Sequence, residues 1–292
     1  MHGVGEASAA ITIVNALATG VGSAVGVELR ARAELDLRPS GSRGRWDVEM
    51  SDAARTPLVV AALDLALNRL APGSSGTGRL SLHSEIPAGR GLKSSSAVSS
   101  AVVLAVAHAT EVPVLPTEVA RMSAEVSRAT GVSATGAFDD ALAGLSVGVV
   151  VTDNPRGELL RTFPLAPDLG VALLIPRTTH RPSPEWAPAF QARSVEGRVA
   201  SEAALHGDWA RAMGANSDLV ESVVGYDYAT LRQQLVRAGA LAAGVSGMGP
   251  ALAAIAPSSR LVAVKEALPS RLGERLTVSP TGGPSVPAGA VR

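Results

Sequence analysis

The sequence predicts a mixed chain of two α+β halves, and three observations carry that reading. Apolar residues alternate at Val27, Leu29, Ala31, Ala33, Leu35 and Leu37, the period of a half-buried strand. Helical spacing governs Leu58, Ala61, Ala62 and Leu65, and again Val119, Met122, Val126 and Ala129. Short apolar runs recur beyond residue 165 with helical stretches between them. A length of 292 residues fits two domains of about 150 each. The expected division is 1–160 and 161–280, followed by a Gly/Pro-rich tail, 281–292, expected to be disordered.

Taken in order, strands are expected over 9–14 and 25–37, joined by the glycine-bearing turn 18–26, with a polar loop at 39–45. A helix over 57–70 begins at Pro57, which suits a first helical turn. A strand at 80–86 leads through Pro87-Ala-Gly-Arg-Gly91 into a helix over 95–110, and another helix spans 116–130. Strands follow at 145–152 and 169–175, with a turn at 155–157 between them. Two helices, 194–213 and 228–240, precede a glycine-rich loop at 244–250. A strand at 251–256, a helix at 259–268 and a strand at 275–279 complete the pattern.

Composition excludes several function classes. The 26 basic and 26 acidic residues cancel, so no excess positive charge exists to hold a nucleic-acid backbone. There is no cysteine, hence no disulfide scaffold, thiolate metal site or cysteine nucleophile. The five histidines are scattered without metal-ligand spacing. The longest apolar run, 101–109, is about half of the ~20 residues that a membrane helix needs. No secretory signal is visible at the amino terminus, so a soluble, cytoplasmic protein is expected. Lysine is scarce: Lys93 and Lys265 stand against 24 arginines.

Five motifs carry candidate chemistry, each beside a plainer reading. Gly20-Val-Gly-Ser-Ala-Val-Gly26 has dinucleotide-like spacing, but a strand pattern follows it where the phosphate-binding helix should begin. It reads as a turn. Residues 87–97 run from a strand through a glycine turn into a helix opening on Ser94-Ser95-Ser96. Free backbone N–H groups, hydroxyls and the positive helix end converge there with Lys93 and Arg90, which favours an anion; an ordinary capped helix is the alternative. Asp139-Asp140 sits in an apolar, glycine-rich stretch where buried acids must be paired or working, or else cap a turn. Glu125 lies on the polar side of its helix, where an ion pair with Arg121 or Arg128 is the simplest role. Glycines 244, 247 and 249 allow a close approach of backbone to a ligand or to another loop.

Together these segments resemble the GHMP small-molecule kinases. Residues 87–97 match that family's Pro-x-x-x-Gly-Leu-x-Ser-Ser-x-Ala phosphate loop without a gap, and Val245-Ser-Gly-Met-Gly-Pro250 matches its carboxy-terminal glycine motif. Ala137-Phe-Asp139-Asp140-Ala is similar to its aspartate turn. The wording Gly-Arg-Gly-Leu-Lys-Ser-Ser-Ser-Ala, together with 11–20, 135–141 and 243–251, is most similar to the archaeal-type shikimate kinase branch. Mevalonate kinase has glycine where Lys93 stands, and its amino-terminal lysine has no counterpart in residues 5–20.

The resemblance implies the two-domain GHMP kinase fold, with an amino-terminal half like ribosomal protein S5 domain 2 and a ferredoxin-like carboxy-terminal half. It implies transfer of phosphate from ATP, with Mg2+, to the 3-hydroxyl of shikimate or, alternatively, to homoserine, pantoate or a methylerythritol-type acceptor. A silent ligand-binding regulator of the same fold is the other-class alternative. ATP would be held by Pro87, Gly89, Arg90, Gly91, Leu92, Lys93, Ser94, Ser95 and Ser96, and magnesium by Ser95 and Glu125. Asp139 and Lys93 would be catalytic, with the choice between Asp139 and Asp140 as the base left open. Thr12, Asn15, Thr19, Asp139, Gly247 and Arg177, within the segment 177–181, would meet the acceptor. Small molecules are the expected partners, with no nucleic acid or membrane.

Overall fold

The computed structural model describes residues 1–40, 45–179 and 183–282. The first sheet is built around a long hairpin of β1 (His2–Val14) and β2 (Val21–Pro39). The outer part of β2, 31–39, pairs with β4 (Gly76–Ser84), and its inner part, 21–25, pairs with β5 (Val149–Asp153). One strand thus serves two neighbours in succession. β3 (Trp46–Met50) and β6 (Glu158–Phe163) close the two edges. Only β3 and β4 run parallel, and α1 (Pro57–Leu70) lies in the crossover that such a pair requires. Thr56 caps α1 by accepting the Val59 N–H, and Pro57 occupies its first turn, as the sequence predicts.

Behind the sheet lie α2 (Ser94–Ala109), α3 (Pro116–Ala129) and the short α4 (Phe138–Ala143). All but three of the 16 residues of α2 are buried, mostly Ala, Val and Ser, so it is a core helix wedged against β1, α1 and α3. Ser99 Oγ meets Ser123 Oγ at 2.6 Å, tying α2 to α3 through small side chains.

The second sheet holds β7 (Leu169–Pro176), β8 (Ala242–Val245), β9 (Leu252–Pro257) and β10 (Gly273–Val278) in the order β10-β7-β9-β8, all antiparallel. With α5 (Trp186–Ala192), α6 (Ser194–Leu205), α7 (Trp209–Val224) and α8 (Ala229–Arg237) before β8, and α9 (Ser258–Ala267) before β10, this is the expected ferredoxin-like order.

Several expectations need correction. The helix expected over 194–213 is two helices: Gly207 takes φ +82°, and Asp208 caps α7 by accepting the Arg211 N–H. A His-Gly-Asp stop-and-start signal was present but lay inside a continuous apolar period. α5 and the strands β3, β6 and β8 were not expected, and the aspartate turn is the helix α4. Pro280 and Thr281 are tied to the first sheet. Pro280 bridges Val27, the Thr281 N–H donates to the Gly26 carbonyl at 2.9 Å, and its hydroxyl meets Ser8 Oγ at 3.0 Å. Residues 283–292, like His180 and Arg181 of the candidate acceptor segment, lie outside the described residues.

Candidate active site

A cavity of about 400 Å³ opens where five chain segments meet. These are the end of β1, the loop 87–93 entering α2, the loop 132–137 entering α4, residues 183–187 at the start of α5, and the glycine loop 247–249 from the second half. Among the described residues, no helix is long and apolar enough to cross a membrane.

Two of the helices reaching the cavity, α2 and α4, start in the same way. Lys93 before α2 and Ala137 before α4 both adopt left-handed backbone (φ 64° and 55°), and neither helix has a side-chain cap. A non-glycine residue in that region costs on the order of 1 kcal/mol. The arrangement leaves the first N–H groups of α2 uncapped beside Ser94, Ser95 and Ser96, which line the cavity.

Backbone contacts fasten the phosphate loop to the second half. The Ala251 N–H donates to the Arg90 carbonyl at 3.0 Å, and Ser246 Oγ donates to the Gly91 carbonyl at 2.8 Å. A Cβ on Gly91, which takes φ +87°, would lie 2.2 Å from the Ser246 carbonyl, so only glycine permits this approach. Thr12 completes the joint: its Oγ1 accepts the Gly247 N–H at 2.9 Å. Tyr226 and Tyr228 stack with ring centroids 5.2 Å apart, and the Tyr226 hydroxyl donates to the Met248 carbonyl.

The charged groups form two linked pairs. Lys93 Nζ lies 3.0 Å from Asp140 Oδ2, with side chains 14% and 8% exposed. Asp139 Oδ1 accepts from Asn154 Nδ2 at 2.7 Å. Burial is the main force pushing both carboxyls upward. Lys93 and the Asn154 hydrogen bond pull Asp139 back down. Asp140 is pushed up to about 7 by burial and then by its Asp139 neighbour, against the opposing pull of Lys93. Two polar atoms on the cavity residues, Asp140 Oδ1 and Ser127 Oγ, are buried with no protein partner, as expected at a site made for a polar ligand.

Of the residues singled out from sequence, the cavity gathers Thr12, Asn15, Pro87, Gly89, Gly91, Leu92, Lys93, Ser94, Ser95, Ser96, Asp139 and Gly247. It does not gather four others. Arg90 turns its guanidinium onto the carbonyls of Pro176 and Thr178, so it straps the loop instead of facing a ligand. Glu125 is 46% exposed and paired with Arg69 at 2.7 Å, neither of the arginines expected. Thr19 meets Ser201 Oγ at 2.9 Å and supports α6. Arg177 is exposed, its N–H bonded to the Leu272 carbonyl. Sequence reasoning missed Asn154 and Trp186. The former was hidden in Asn-Pro turn chemistry and the latter in an unexpected helix.

Phosphate groups would fit this donor set: uncapped N–H groups, three hydroxyls and Lys93 along one part of the cavity wall. The magnesium pair does not come together, since Ser95 lines the cavity and Glu125 does not. Among the described residues, no group of three or more His, Cys, Asp or Glu could hold a metal ion.

Comparison with known proteins agrees with this geometry. Residues 57–148 match the GHMP kinases N terminal domain and residues 200–274 the GHMP kinases C terminal domain. A shikimate kinase of Pyrococcus abyssi is 37% identical over 88% of this chain and 92% of its own length. That of Methanothrix thermoacetophila is 39% identical over 87% and 85%. Among solved structures, Methanococcus jannaschii mevalonate kinase superposes with a TM-score of 0.72 at 12% identity, over 97% of this chain and 99% of its own. Homoserine kinase from Cytophaga hutchinsonii gives 0.68 at 18% identity, over 97% and 96%. A phosphate loop welded to a glycine loop across two sheets, a buried lysine–aspartate pair at a helix start and these full-length similarities lead to one conclusion: the chain belongs to the GHMP kinase family.

Proposed function

We propose that the chain phosphorylates the 3-hydroxyl of shikimate with ATP, in the cytoplasm. The observation that carries the reading is that Asp139 lines the same cavity as Lys93 and the uncapped start of α2. The shikimate kinases matched over most of this chain support the acceptor.

ATP supplies the γ-phosphoryl group. The N–H groups and hydroxyls of Ser94–Ser96 and the dipole of α2 favour its phosphates. Asp139 orients the acceptor hydroxyl and takes its proton as the oxygen attacks phosphorus and the bond to the leaving ADP oxygen breaks. Lys93, held by Asp140, offsets charge on the transferring oxygens. Thr12 and Asn15 offer hydrogen bonds to the acceptor. Asn15 Nδ2 donates to the Met248 sulfur, a weak acceptor that a carboxylate or hydroxyl oxygen displaces readily. Ser95 Oγ is the cavity oxygen available to a magnesium ion, and Glu125 joins it only by leaving Arg69.

The test is ADP release measured with shikimate, homoserine, pantoate and mevalonate. Turnover with shikimate alone is expected. Turnover with another acceptor instead would overturn the substrate assignment. Asp139→Asn should lower kcat about 100-fold or more with little change in ATP affinity. A near-wild-type rate in that variant removes Asp139 as the base.

A further inference from the structure

We infer that Asn154 is a positioning residue for catalysis: it fixes the Asp139 carboxylate in one orientation and leaves Oδ2 as the atom that takes the proton. The inference rests on Asp139 being the base. Asn154 is fully buried at the turn after β5 and makes two bonds to one residue. Its Nδ2 donates to Asp139 Oδ1 at 2.7 Å, while its Oδ1 accepts the backbone N–H of Asp139 at 3.1 Å. The second bond decides the first. A backbone N–H can only donate, so the amide oxygen must face it and the NH2 must face the carboxylate. Thr152 Oγ1 reinforces this by donating to the same amide oxygen at 2.8 Å. The amide has no alternative orientation that satisfies its neighbours.

Two consequences follow for the carboxylate. Oδ1 is opposed by a group that offers only hydrogens, so one of its lone pairs is taken, and Oδ2, which Asn154 does not hold, is the favoured site for the proton. A donor at 2.7 Å also favours the charged form, opposing the burial that would otherwise neutralise a base in this cavity. The charged groups facing Asp139 are Lys93, at the start of α2, and Asp140, on its own helix. Those on the other packed elements are engaged elsewhere. On α3, Glu118 caps its helix at the Leu115 N–H, Arg121 holds the Gly157 carbonyl, Glu125 holds Arg69 and Arg128 holds the Thr135 carbonyl. On β1 and β2, Glu6, Glu28, Arg30, Arg32 and Glu34 pair with one another, and His2 pairs with Asp36. Asp153 of β5 pairs with Arg156, and His108, at the far end of α2, bonds the Val4 backbone.

The test compares Asn154→Ala with the isosteric Asn154→Asp, reading the pH profile of kcat/KM, the separate kcat and KM for ATP, and thermal stability. Loss of the donor raises the Asp139 pKa. The acid limb, where activity rises as the base ionises, should then move to higher pH by about one unit in Asn154→Ala. It should move further in Asn154→Asp, which puts an acceptor where the donor was. At pH 7 kcat should fall about 10-fold or more in both, with KM for ATP within about two-fold of wild type. A purely structural role gives the opposite order: the isosteric aspartate keeps the volume and retains more activity, with an unshifted limb. That result overturns the inference. If Asn154→Asp does not fold, an unshifted limb in Asn154→Ala is sufficient to reject it. Wild type and Asp139→Asn, run alongside, separate the failures. An inactive wild type, or an active Asp139→Asn, rejects the underlying reading. An inactive Asp139→Asn with an unshifted Asn154→Ala rejects only the role of Asn154.

Discussion

Gly22 offers a way to move the Asp139 carboxylate without altering a charge. It lies in β2, which runs beneath α4, and a Cβ there would fall 2.5 Å from Asp139 Oδ2 and 2.6 Å from its Cγ. Ordinary contacts begin near 3.5 Å, so Gly22→Ala forces a displacement of about 1 Å. The carboxylate cannot absorb that shift freely, because Asn154 grips its other oxygen at 2.7 Å. A misplacement of that size at a reacting group costs about 100-fold in rate. Overpacking adds about 1–3 kcal/mol of lost stability. Gly26, four residues along the same strand, provides the control. Its Cβ would meet the Ala143 carbonyl and Thr281 Cγ2, both at 2.3 Å, but no part of Asp139. Steady-state kinetics per folded molecule, with thermal melts for both variants, should show Gly22→Ala slow and Gly26→Ala merely less stable. A Gly22→Ala enzyme within about three-fold of wild-type kcat/KM would refute the reasoning.

Other outcomes follow from the same geometry. Asp140 binds its proton more tightly in the fold than in the unfolded chain, so stability falls as pH rises from about 4 through about 7. Melts of Asp140→Asn across pH 5–8 should show a flatter decline, and an unchanged slope would exclude Asp140 as its source. Ser246→Ala strips the Gly91 carbonyl of its partner, and the loss should be about 1–3 kcal/mol by urea unfolding. Should Glu125 serve magnesium by exchanging Arg69, then Arg69→Ala frees it from an exposed pair worth about 0.2–1 kcal/mol. The magnesium concentration for half-maximal activity should then drop by up to about five-fold, whereas Glu125→Gln should raise it. No change in either variant removes Glu125 from the magnesium site.

Local chemistry made much of the molecule legible before any coordinates. Pro57 and the 3.6-residue period located α1, and the strand–glycine turn–serine sequence located the mouth of α2. The carboxylates were marked by their apolar setting. What stayed hidden depends on partners distant in sequence. Nothing near Arg90 says that its guanidinium will meet the carbonyls of Pro176 and Thr178, and nothing near Glu125 points to Arg69. Asn154 reads as turn chemistry because Pro155 follows it; its other use exists only because β5 carries it beneath α4. The edge strand β3 does alternate, with Trp46, Val48 and Met50 toward the core and Asp47 and Glu49 outward, but over only five residues, and β6 has no such alternation of burial and rests on pairing with β5.

The weld between the phosphate loop and the glycine loop constrains how the enzyme can breathe. Arg90 and Gly91 belong to the first half by sequence, but their carbonyls accept from the Ala251 N–H and the Ser246 hydroxyl of the second. Swinging the halves apart would break those hydrogen bonds and disturb the loop proposed to hold the nucleotide. With those bonds kept intact, ligand exchange is left to side chains lining the cavity, Trp186 and Met248 among them.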